Sequence, residues 1–213
     1  MALRKAFFFD PNDPKWREKL ATLAPISGYC VFIDIAGSTA LKDGPIERWA
    51  SFISNTFGNA RAFLEPTLPP LKCLGDSLMF FIPESILNKT ATPLSLFASL
   101  KSICSDPDPL FCEVKVGATY CTDAYELTFI KGTYDVYGKG IDLAARLLSR
   151  AESRELLMNE PFAQQIRQEF ETIDNKQAFS DVRRVVGPWP EQIRGFSRAV
   201  NIYKLPRSAQ NSL

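Results

Sequence analysis

Asp34 and Asp76 stand where two acids could do chemistry. Asp34 ends the apolar run "YCVFI", which reads as a buried strand, and Asp76 follows Gly75 between the apolar stretches Leu71 to Leu74 and Leu78 to Ile82. A glycine at such a turn is a hairpin signal. A helical stretch separates the two acids, so their strands can be neighbours in one sheet. Carboxylates brought together at strand ends repel each other. Divalent cations relieve that repulsion, and oxygen-only ligands suit Mg²⁺ or Mn²⁺. Removing one acid then relieves repulsion and raises stability. The plain alternative is that each acid caps a strand end in solvent.

Two further groups of residues bear on an anion. "AGST" after Asp34 is a small-residue turn leading into a helix, whose free N–H groups can face a phosphate; its Ser and Thr can equally serve as helix caps. In "YGKGIDLAARLL", Asp142 and Arg146 are four apart and share one helix face. They form either a surface ion pair of little energetic weight or a phosphate-reaching arginine, with Ala144 and Ala145 leaving room for close packing.

Composition narrows the chemistry. The 213 residues contain no histidine, which excludes His-based nucleophile activation and His-ligated zinc. Net charge is +1, from 25 Lys+Arg against 24 Asp+Glu, which gives no argument for nucleic acid or an acidic membrane as partner. The five cysteines include no C-x-x-C pair and read as buried, reduced thiols of a cytoplasmic protein. No stretch has the apolar length of a membrane span.

Certain elements must position these residues. Residues 1–27 read as an N-terminal arm with a short helix from Trp16 to Leu23, residues 28–206 as one domain, and residues 207–213 as a tail. Helical spacing of Ile46, Trp49, Ala50, Ile53, Phe57, Ala60 and Leu64 predicts a helix from about Pro45, ended by Pro66, Pro69 and Pro70. A second helix is expected from Pro93 to Cys104, broken by "SDPDP", and others at 140–151 and 162–170. Strands are expected at "LFCEVKVGATYCT", Glu126 to Lys131, Arg154 to Asn159, Ser180 to Val186 and Ala199 to Leu205. Strands alternating with helices, with hairpins among them, predict an α+β fold with a mixed sheet.

Taken in order, these segments resemble the catalytic domain of class III nucleotidyl cyclases. "FIDIAGST" resembles that family's first metal motif, and "KCLGDSLMFF" its K-x-x-G-D hairpin. "VKVGATYC", "YDVYGKGIDLAARL" and "IRGFSRAVNIYKL" are similar to its later strand, its Y-D…R-L helix motif and its closing strand. The resemblance implies a ferredoxin-like, palm-type sheet with helices packed on it. It implies that Asp34 and Asp76, with the backbone carbonyl of Ile35, hold two divalent cations, Mg²⁺ or Mn²⁺. Gly37, Ser38 and Thr39 would cradle the triphosphate of a nucleoside triphosphate substrate, and Arg146 would stabilise the transferring phosphate. Arg194 stands where the family usually has a Lys on the terminal phosphates. Lys72 and Asp135 stand at the two base-reading positions. A donor and an acceptor fit adenine and uracil alike and cytosine less well. Phe32, Trp49, Met79 and Tyr137 are candidates to narrow a pyrimidine pocket.

One departure is Asp142, where the family has an Asn that orients the ribose; an acid there adds negative charge near a triphosphate. The family also implies a head-to-tail homodimer in which Asp34 and Asp76 of one chain meet Lys72, Asp135 and Arg146 of the other. The chain length resembles that of stand-alone pyrimidine cyclases of bacterial antiphage (Pycsar-type) defence, which make cyclic UMP or cyclic CMP. A stand-alone adenylate cyclase is the alternative. Rival classes are a non-catalytic cyclase-like nucleotide-binding module and a palm-type polymerase, the latter disfavoured by the near-neutral charge.

Overall fold

The computed structural model describes residues 6–64, 70–105 and 110–207, and the backbone alone of residues 88–90. In chain order the elements are β1 (Phe7–Phe8), α1 (Trp16–Ala21), β2 (Ile26–Ile35), α2 (Ser38–Leu41) and α3 (Ile46–Leu64). Then come β3 (Lys72–Leu74), β4 (Ser77–Pro83), α4 (Glu84–Thr90), α5 (Pro93–Ser105), β5 (Val114–Ala124) and β6 (Leu127–Thr128). The chain closes with α6 (Lys139–Arg150), β7 (Leu156–Asn159), α7 (Glu160–Thr172), a 3₁₀ segment at Lys176–Arg184, β8 (Val186–Glu191) and β9 (Val200–Leu205). The helix-ending Pro66 and Pro69, the helix-breaking stretch 106–109 and tail residues 208–213 lie outside the described residues.

Seven strands form one mixed sheet in the order β3-β4-β2-β5-β7-β9-β8, with β5–β7 the parallel pair and the other neighbours antiparallel. This is the expected α+β arrangement. Strand β2 lies between β4 and β5 and is covered on both faces, which is why its sequence is almost continuously apolar. Tyr29, Val31, Ile33 and Ile35 pack into the core with α3, α5 and α7, while Cys30 and Phe32 face α6. Helix α6 lies very close to the sheet: a Cβ added to Gly117 of β5 would sit 2.4 Å from both the Ala144 carbonyl oxygen and the Leu148 nitrogen. Ala144 is fully buried there, so the small residues of α6 serve the close approach expected of them. The Asp123 carboxylate fixes where α6 begins, accepting from Lys139 N at 2.8 Å and Gly140 N at 3.2 Å.

Several expectations need correction. Residues 180–184, expected in a strand, belong to the 3₁₀ segment, started by the Asn175 side chain accepting from Ala178 N. The strand there is β8, "VGPWPE", whose prolines are tolerated because it lies on the sheet edge. The strand expected at Glu126 to Lys131 shrinks to β6, which pairs in parallel with β1 of the arm instead of joining the main sheet. Helix α4 lies between β4 and α5, where the sequence predicts no element. Cys73 is exposed, because β3 is the other edge strand, and Cys112 is only partly buried; Cys30, Cys104 and Cys121 are buried. Helix α3 has its predicted span, but Thr56, Ala60 and Leu64 in its second half are its buried residues, and Ile46 is 61% exposed.

Candidate active site

The two acids meet at one end of the sheet. Asp34 pairs across β2–β4 with Ser77, and the Asp76 carbonyl accepts from Ile35 N at 3.3 Å. Gly75, at φ 67°, turns the β3–β4 hairpin that carries Asp76. Asp34 Oδ1 accepts from the Ser77 hydroxyl, and its Oδ2 lies 3.0 Å from Lys115 Nζ on β5. Asp76 Oδ2 accepts from the Ser38 hydroxyl, and its Oδ1 lies 3.6 Å from Lys42 Nζ. The Ser38 bond, joined by the Lys42 charge, holds the Asp76 carboxyl below its ordinary value. Each acid thus has a hydroxyl donor and an ammonium beside it, so the bare mutual repulsion expected from the sequence is offset within the chain.

Gly37 takes a left-handed conformation, φ 69°, and bends the chain from β2 into α2. The Ile35 and Ala36 amides are used, donating to the Asp76 and Glu113 carbonyls. Among the described residues, no protein acceptor takes the amides of Gly37, Ser38 or Thr39.

Lys72 and Asp135 also come together, away from the acids. Lys72 Nζ lies 2.6 Å from Asp135 Oδ2, and Asp135 Oδ1 accepts from Val136 N at 2.7 Å. Asp135 is buried, and Lys72 Nζ sits 5.7 Å from the centre of the Tyr137 ring. Desolvation, and then a hydrogen bond to Asp135, raise the Tyr137 phenol above its ordinary value. Asp142 and Arg146 both lie on the exposed face of α6, and Arg194 is exposed between β8 and β9. Among the described residues, neither arginine side chain makes an ion pair within its own chain. The chain therefore joins Asp34, Ile35, Asp76 and Gly37–Thr39 in one group and Lys72 with Asp135 in another, and leaves the two arginines open.

Sequence reasoning missed Lys42, Lys115 and Ser77. Lys115 had a signal: it interrupts the apolar "VKVG" of a buried strand, and a lysine there needs a carboxylate.

No protein-family model and no curated protein matches the chain. Solved structures do. The chain is similar to the adenylyl cyclase CyaB from P. aeruginosa, with 19% identity, TM-score 0.65, and 86% of this chain and 96% of that chain covered. It is similar to the guanylyl cyclase Cya2, with 15% identity, TM-score 0.61 and coverage of 89% and 96%. A rhodopsin-guanylyl cyclase catalytic core of converted specificity, in complex with ATPαS, matches at 12% identity and TM-score 0.63, covering 84% and 95%. The fold is that of the class III nucleotidyl cyclase catalytic domain.

Proposed function

We propose that the chain is a nucleotidyl cyclase that converts a nucleoside triphosphate into a 3′,5′-cyclic nucleotide and pyrophosphate. The observation that supports this most is the placing of Asp34 and Asp76 on adjacent strand ends beside the open amides of Gly37 to Thr39, on a cyclase fold. The donor set fits a hard cation: two carboxylates and the Ile35 carbonyl are all oxygen ligands, suited to two Mg²⁺ or Mn²⁺ ions. Such ions lower the barrier to attack on phosphorus and offset phosphate charge.

The residues of the chain do the rest. Gly37, Ser38 and Thr39 hold phosphate oxygens through their amides, and Arg194 holds the terminal phosphates. Arg146 stabilises charge that builds on the transferring phosphate. The ribose 3′-oxygen bonds to the α-phosphorus as its bond to the bridging oxygen breaks. Pyrophosphate leaves, and the hydroxyl proton passes to solvent. Lys72 donates to the base and Asp135 accepts from it.

The active form in this reading is a head-to-tail homodimer, in which Asp34 and Asp76 of one chain face Lys72, Asp135 and Arg146 of the other. Support comes from the exposed arginine of α6 and from large apolar residues left uncovered in the single chain, Ile46 and Leu74 among them. UTP is the favoured substrate on the resemblance to stand-alone pyrimidine cyclases, with Tyr137, whose ring centre lies 5.7 Å from Lys72 Nζ, the candidate to narrow a pyrimidine pocket. ATP is the second reading, since the same donor and acceptor fit adenine. A cytoplasmic place in antiphage signalling follows from the resemblance.

The test is mass spectrometry of the products from an equimolar mixture of four nucleoside triphosphates with Mn²⁺. Cyclic UMP as the main product supports the favoured reading, and cyclic AMP the second. Release of no cyclic product by the dimer would leave a non-catalytic nucleotide-binding module.

A further inference from the structure

The N-terminal arm takes no part in this chemistry, yet it is joined to the base-reading loop in two ways. The first is a backbone ladder. Phe7 N donates to the Glu126 carbonyl at 2.8 Å, and Phe9 N to the Thr128 carbonyl at 2.9 Å. Tyr125, next to these residues, exchanges both backbone hydrogen bonds with Tyr137, at 2.8 and 3.0 Å. The Tyr134 hydroxyl adds a bond to Glu126 Oε1 at 2.6 Å. Arm and base loop are thus tied to the same short stretch, 125–128.

The second link is a row of rings. Trp16 packs edge-on against Phe9 at 5.4 Å, Phe9 against Phe129 at 5.7 Å, and Phe129 against Tyr137 at 5.1 Å. Tyr137 in turn lies over Lys72, the partner of Asp135. Tyr137 is 40% exposed and Phe129 53%, so the core does not fix either ring. A groove of about 550 Å³ lined by Leu20, Ala21, Leu23, Tyr125 and Leu127 lies beside the tyrosine. Its hydroxyl is tied to Asp135 and its backbone to Tyr125, and the ring itself is braced from the side by Phe129, at the end of the row of edge-to-face pairs.

We propose that the arm is part of the base pocket: Phe9, through Phe129, is a positioning residue that holds Tyr137 over Lys72 and Asp135 and thereby sets base selectivity. The inference rests on the reading of Lys72 and Asp135 as the base contacts. Phe9 touches no substrate; its effect is on where Tyr137 sits.

The experiment measures kcat and KM of the full-length chain for UTP and ATP, with Tm measured alongside. Phe9→Ala is expected to lower the ratio of kcat/KM between the two substrates about three- to tenfold, the range an aromatic pair supplies. The change should lie in KM, with kcat for the preferred substrate within about twofold of native. Phe9→Tyr, which keeps the ring, should restore the ratio, and Phe129→Leu should reproduce the loss from the other side of the contact. A purely structural arm would lower Tm and leave the ratio unchanged in both Phe9→Ala and Phe129→Leu, and that result overturns the proposal. Asp135→Ala separates the two levels. If it relaxes base choice while the Phe9 and Phe129 variants do not, the arm's role fails alone. If Asp135→Ala itself leaves base choice intact, the base-reading assignment fails and the arm's role with it.

Discussion

Lys115 Nζ lies 3.0 Å from Asp34 Oδ2, directly across the β2–β5 pairing, so the acid at the end of the central strand has a cation beside it. A divalent ion at Asp34 must share or take the oxygen that Lys115 holds. Lys115→Met should therefore bind Mn²⁺ without nucleotide roughly tenfold more tightly, on the scale by which a nearby opposite charge shifts a carboxylate's proton affinity. Titration of free Mn²⁺ by electron paramagnetic resonance reads this directly. Asp34→Asn should weaken the same binding. Equal affinity in native protein and Lys115→Met would show that the lysine does not compete. The pairing also reverses the stability expectation drawn from two repelling acids. Asp34→Ala leaves Lys115 without its partner and should lower stability by about 1 kcal/mol or less, as befits a partly exposed pair.

Asp76 predicts how acid acts on the fold. Its carboxyl is held below the ordinary value, first by the Ser38 hydroxyl. A carboxyl with a folded value below its unfolded one stabilises the fold above the unfolded value, and loses that contribution as pH falls through the folded one. Thermal stability should therefore drop on acidification below about pH 4. Ser38→Ala removes the largest cause and should flatten that part of the Tm-against-pH curve between pH 2 and 5. An unchanged curve would mean the Ser38 bond contributes nothing to Asp76.

The Lys72–Asp135 pair, at 2.6 Å, must open for a base to enter between donor and acceptor. Asp135→Ala should reduce discrimination among bases by about tenfold or more, because a missing acceptor leaves a base donor unpaired. Triphosphate affinity, measured with inorganic triphosphate as competitor, should change little. Loss of triphosphate affinity with base preference intact would place Asp135 elsewhere in the mechanism.

The homodimer reading is tested by complementation. Asp34→Ala and Arg146→Ala chains should each be inactive alone. Once their subunits exchange, one composite site of the heterodimer keeps every group while the other loses both. Activity should return on mixing and rise with total protein concentration. A mixture that stays inactive after exchange has been demonstrated excludes a site shared in this way.

How far the amino-acid order alone carried the site depends on the range of the forces involved. The run "YCVFID" determines a strand covered on both faces, because only burial on two sides suits such a sequence. Gly75 determines the hairpin that carries Asp76, and the α6 sequence with its paired alanines determines a helix that can lie close to a sheet. These are local preferences, and they are readable residue by residue. Tertiary structure decided what periodicity and propensity do not encode. Lys115 became the partner of Asp34 only through the β2–β5 register, and Lys42 that of Asp76 through the path of the α2 turn. The apolar stretch 71–74 became an exposed edge because β3 pairs on one side alone, which left Cys73 in solvent. Phe7 and Phe8, far in sequence from Leu127 and Thr128, joined them as a small parallel sheet beside the base loop. Pairings of this kind depend on which strands the whole chain leaves open, and that is settled only when every other element has found its place.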